Sequence, residues 1–105
     1  MFSKHLARGI AVAALIGAFA GPANALSEDE VSVLAGTCAN CHGTDGRSPG
    51  AIPAIAGQDY DILREQLLAF KAGEVEGATI MTRHATGYTD EELDALARYF
   101  SEIEP

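Results

Sequence analysis

The chain has 105 residues, 48% of them hydrophobic, and a formal net charge of −8 from seven Lys and Arg against fifteen Asp and Glu. That balance argues against nucleic acid as a partner, because such binding depends on basic patches. It is compatible with steering toward a basic protein, and equally with plain solubility.

Residues 1–25 read as a secretory signal peptide, removed on export. Lys4 and Arg8 make the start basic. Gly9 to Ala20 is an apolar run shorter than the roughly 20 residues that span a bilayer. Gly21-Pro22 breaks it, and Ala23-Asn24-Ala25 has the small-x-small form of a cleavage site. The alternative is an uncleaved anchor, which the short core and the A-x-A ending disfavour. After Ala25 no stretch is apolar enough to cross a membrane, so the expected product is exported to the periplasm with no membrane span. Residues 26–105 form one domain of 80 residues, in which five cations face fifteen acids for a formal −10. A protein core of that size is marginal alone.

Ser27 and Glu30 make a capping-box pattern, with Leu26 and Val31 at the staple positions. They predict a helix from about Glu28, with Val31, Leu34, Ala35 and Cys38 at helical spacing. It runs into Cys38-Ala39-Asn40-Cys41-His42, which holds both cysteines of the chain. This is the C-x-x-C-H form of a covalent haem c attachment site. Each thiol can add across one haem vinyl group to form a thioether, and His42 is then held where an imidazole nitrogen can ligate the iron. Three simpler readings compete. A redox disulfide of the thioredoxin kind needs a βαβ setting, and no strand pattern is present. A zinc site from Cys38, Cys41, His42 and His84 lacks a second ligand pair at zinc-like spacing. A structural staple would close too short a loop to stabilise much. A buried haem also supplies the apolar body that so small a core lacks.

Gly43, Gly46, Pro49, Gly50 and Pro53 mark a loop after the motif. Asp59 or Asp61 starts a second predicted helix through Lys71, with Tyr60, Leu63, Leu67 and Phe70 on one face and Gly73 closing it. Gly73 to Gly87 reads as irregular. Thr89 and Glu92 form a second capping box, with Tyr88 and Leu93 as its staple, and predict a last helix from Asp90 to about Glu102. Its buried stripe is Leu93, Leu96, Ala97 and Phe100. The fold class is therefore all-α.

Iron held by His42 needs a sixth partner. Met81 is the one methionine left after cleavage, in the segment before the last helix. A His/Met pair favours ferrous iron and raises the potential, because the thioether is soft and neutral. Against this stands the common use of methionine as a core gap-filler. His84, three residues on, is the rival ligand, and a five-coordinate haem is the remaining alternative.

Over essentially all of residues 26–105 the chain resembles the class I c-type cytochromes, in the order N-terminal helix, Cys38-x-x-Cys41-His42-Gly43, proline loop, middle helix, methionine loop, C-terminal helix. Ile52-Pro53-Ala54-Ile55-Ala56-Gly57-Gln58, with Tyr60, Gln66, Leu67 and Phe70, is similar to the c4 and c5-like group. Thr79-Ile80-Met81-x-Arg83 with Gly87-Tyr88-Thr89 resembles the cytochrome subunit of flavocytochrome c sulfide dehydrogenase. Some members of that group carry two haem domains, whereas this chain has one C-x-x-C-H.

The resemblance implies a small single-domain class I fold around one covalent haem, with Met81 as axial ligand. It implies a loop proline whose carbonyl accepts the proton of the ligating histidine, Pro53 first and Pro49 second. It also implies a crossing of the terminal helices at Leu34, Leu96 and Tyr99. The expected protein is an electron carrier that breaks no substrate bonds. Its expected partner is an FAD-containing sulfide-oxidising flavoprotein, docked near Ile80, Thr82 and Ala85. The alternatives are a free shuttle to a terminal oxidase or photosynthetic reaction centre, and a haem ligand sensor.

Overall fold

A computed structural model describes residues 25–105, so the signal peptide read from residues 1–25 lies, except for Ala25, outside the described residues. The described elements are all helical: α1 (Glu28–His42), a single 3-10 turn (Thr44–Gly46), α2 (Tyr60–Ala72), α3 (Ile80–Ala85) and α4 (Asp90–Ser101).

Local chemistry accounts for most of the helix ends. Ser27 Oγ accepts from Glu30 N–H at 3.2 Å while Ser27 N–H donates to the Glu30 carboxylate at 2.8 Å, completing the box that starts α1. The Ser27 backbone N–H, and then its hydroxyl, hold the Glu30 carboxyl below the usual carboxylate range. Thr89 and Glu92 repeat this at α4, at 3.0 and 3.1 Å. Three acids occupy the first turn of each of these helices, where the exposed N–H groups and the helix dipole favour negative charge. Asp59 caps α2 through Ile62 N–H, and Gly73 ends it at φ 72°, in the left-handed region that glycine enters without cost to a side chain.

Helix α3 departs from the sequence reading, which left residues 73–87 irregular. Thr79 makes no side-chain cap there, and Ile80 and Thr82 are β-branched, so the local helix signal is weak. The turn forms because α3 packs on α2 and buries Ala85 to 1% exposure. Tertiary packing supplies what so short a helix lacks alone.

The core joins Val31 and Ala35 of α1, Leu63 of α2, Ala85 of α3, and Leu93, Leu96, Ala97 and Phe100 of α4. All four residues of the predicted α4 stripe are buried. Helix α1 packs on α4, and Leu34 and Tyr99 lie partly buried against the same core. Leu96→Ala is expected to destabilise the protein by about 2–5 kcal/mol through lost burial and a residual cavity. For a domain of this size that lowers the thermal midpoint by roughly 10 °C or more, readable by circular dichroism. An unchanged midpoint would contradict the burial of Leu96.

Candidate functional site

The spacing of Cys38, Cys41 and His42 is i, i+3, i+4, so the last turns of α1 present all three on one face. That face forms one wall of a cavity of about 540 Å³. Pro53, Ile55 and Gln58 of the following loop, Leu63, Leu67 and Phe70 of α2, and Leu96, Ala97 and Phe100 of α4 supply most of the rest. Met81 and His84 of α3 line it as well. The structure thus brings the Cys38, Cys41 and His42 stretch together with Pro53 and Met81, separate from it in the chain, at one largely apolar chamber. Its volume lies within the range usual for ligand and cofactor pockets, roughly 300–1,000 Å³.

Gly43 has φ 85°, and a Cβ there would lie 2.8 Å from Ser48 Cα, so the chain can turn away directly after His42 only with glycine. The turn returns the chain so that His42 Nδ1 stands 2.6 Å from the carbonyl oxygen of Pro53. A carbonyl only accepts, so Nδ1 carries the ring proton and Nε2 keeps its lone pair, as a metal-ligating imidazole requires. Pro53 is itself held by its loop. Ile55 and Ala56 N–H both donate to Gly46 O at 2.8 and 3.1 Å, and Gly57 N–H donates to Phe100 O at 2.8 Å. Gln58 Nε2 donates to Ala54 O at 2.5 Å.

Cys38 does not have the lowered thiol of a redox-active cysteine. Burial pushes the Cys38 thiol up, against a smaller lowering by its hydrogen bond with Thr37, whereas redox-active cysteines have lowered values. Among the described residues no three His, Cys, Asp or Glu side chains converge as a metal set. Two thiols and a bare imidazole nitrogen on one wall, a thioether on another, and apolar side chains between them fit a covalent haem.

Thr37, and its link to Tyr88, carry no signal in the sequence. Thr37 lines the cavity, and its Oγ1 lies 2.5 Å from Tyr88 OH, 51 positions away. Tyr88 OH lies in turn 3.5 Å from His84 Nε2, with the two rings edge to face at 5.4 Å. Tyr88 reads locally as a staple residue, and nothing in the spacing links it to Thr37. At the cavity rim Ile80 is 76% exposed. Arg83, also exposed, makes no ion pair among the described residues, whereas Arg47, Arg64 and Lys71 pair with Asp45, Asp94 and Asp90. Ala85, expected at a docking face, is instead in the core, because α3 turns that side toward α2; Thr82 is half-buried.

Residues 29–104 match the protein family described as Cytochrome c. Among individual proteins, the chain is 41% identical over 78 residues to the cytochrome subunit of sulfide dehydrogenase of Chlorobaculum tepidum, covering 74% of this chain and 70% of that protein. It is 39% identical over 83 residues to cytochrome c-554(548) of Halomonas halodenitrificans, covering 76% and 95%. It is 38% identical over 73 residues to cytochrome c4 of Stutzerimonas stutzeri, covering 61% of this chain and 35% of that protein.

Proposed function

The chain belongs to the cytochrome c family, and from that premise we propose that it is the electron-accepting haem subunit of a sulfide-oxidising flavoprotein in the periplasm. It is a single-haem c-type cytochrome of the all-α class I fold, an electron-transfer protein and not a catalyst of bond cleavage. The likeness to the cytochrome subunit of a sulfide dehydrogenase carries the choice of partner. Export to the periplasm rests on the signal-peptide pattern of residues 1–25. Among the described residues no helix is long and apolar enough to cross a membrane.

In this reading Cys38 and Cys41 would anchor the porphyrin through thioethers, and His42 Nε2 and the Met81 thioether would be the protein ligands of its iron. Pro53 fixes the His42 ring and its tautomer. When bound, the haem supplies a reversible one-electron couple. Leu67, Phe70 and Phe100 exclude water from the chamber, and a drier, less polar surrounding disfavours the extra charge of ferric iron. Ile80 offers an exposed apolar contact at the rim, and Arg83, exposed on the same helix, makes no ion pair among the described residues. Such a rim suits a close, desolvated contact with a partner that presents a carboxylate opposite Arg83.

A lasting interface of this kind binds tightly and depends weakly on salt. The test mixes the purified holoprotein with a sulfide-oxidising flavoprotein from the same organism and follows haem reduction after sulfide is added. Fast reduction at low and high salt, with a complex that survives gel filtration, is the expected result. The second reading, a free shuttle, draws on the likeness to cytochrome c-554(548) across 95% of that protein. It predicts no stable complex and an association rate that falls steeply with ionic strength.

A further inference from the structure

Two residues of α3 that can bind iron, Met81 and His84, line the same cavity three positions apart, which on a helix places them on one face. Proton accounting around Tyr88 separates them. Thr37 Oγ1 lies 2.8 Å from Leu34 O, which only accepts, so the single Thr37 hydroxyl proton is committed there. The 2.5 Å contact between Thr37 Oγ1 and Tyr88 OH then has Tyr88 as donor. The tyrosine proton is thereby used, and its oxygen is left as an acceptor toward His84 Nε2 at 3.5 Å. That acceptor favours the His84 tautomer with its proton on Nε2, in which this nitrogen has no lone pair for a metal.

We propose that Tyr88 determines which of the two residues ligates the iron: its hydroxyl oxygen retains the Nε2 proton of His84 and leaves the sixth position to Met81. Tyr88 is a positioning residue, acting through His84 and tied to α1 through Thr37. This rests on the reading that Met81 is the axial ligand, and the test separates the two.

The probe is carbon monoxide, titrated into the reduced holoprotein. Met81→Ala is expected to lose the iron–thioether band of the oxidised protein and to bind carbon monoxide when reduced. Adding Tyr88→Phe, which keeps the ring and removes only the oxygen, frees His84 to compete. Carbon monoxide affinity should then fall roughly fivefold, the usual net weight of one side-chain hydrogen bond, with a shift toward a two-histidine spectrum. Adding His84→Ala to that pair should restore the affinity, a reversal that a general loss of packing would not give. The inference is overturned if Tyr88→Phe leaves the affinity unchanged, if His84→Ala fails to restore it, or if Met81→Ala alone already shows the two-histidine spectrum. Persistence of the thioether band in Met81→Ala would instead overturn the Met81 assignment, and the inference with it. If the combined variants do not assemble, Tyr88→Phe alone should lower the temperature at which the thioether band bleaches, and Tyr88→Phe with His84→Ala should return it. An unchanged bleaching temperature would also overturn the inference.

Discussion

His42→Ala is expected to leave almost no holoprotein after expression in a host that exports and matures c-type cytochromes. The imidazole lies on the same helical face as the two thiols, and its Nδ1 proton is already held by Pro53 O at 2.6 Å. Removing it deletes the proposed iron ligand, whose ring the Pro53 carbonyl orients. Groups that merely orient a metal ligand are worth roughly 10- to 100-fold in affinity, so loss of the ligand itself should cost at least that in yield. Cys38→Ala or Cys41→Ala should also reduce the yield strongly, leaving one thioether in place of two. The parent protein should have the mass of residues 26–105 plus one haem, and acidic acetone should not extract the pigment. Pigment that extracts freely would contradict covalent attachment, whatever the yields of the variants.

The other large effect is expected from Met81→Ala. Met81 lines the cavity from α3, whereas Cys38, Cys41 and His42 line it from α1, so its thioether would approach a bound haem from a different element. Its loss should abolish the iron–thioether band and let carbon monoxide bind. It should also lower the reduction potential by on the order of 0.1 V, since axial ligands tune haem potentials over about 0.8 V. His84→Ala should leave the band in place, because Tyr88 already withholds His84 Nε2. If the His84 change removes the band and the Met81 change does not, the ligand assignment is reversed.

Much of this protein is written in contiguous sequence. The two capping boxes, a cap at Asp59 or Asp61 (the structure uses Asp59), Gly73 as helix end and the α4 stripe are short-range signals, and the structure follows each of them. The C-x-x-C-H stretch is likewise local: helical spacing alone places its three side chains together, so the attachment chemistry is readable without knowing the fold. Even the choice of Pro53 came from the resemblance to known cytochromes, and the structure places that carbonyl against His42.

What only the tertiary structure decides are the features that need partners distant in the chain. Helix α3 has poor local propensity and no side-chain cap, and it exists because α2 and the core bury Ala85. That burial also removes Ala85 from the docking face expected from sequence, while Ile80 and Arg83 stay exposed. The Thr37–Tyr88–His84 connection spans 51 positions and carries no periodic or turn signal. Local steric and hydrogen-bonding preferences act over a few residues, so they are legible as sequence patterns. Which side chain of α3 faces a cavity, and which of its protons is engaged, depends on how separate helices pack, and that is settled only when the apolar surfaces close on one another.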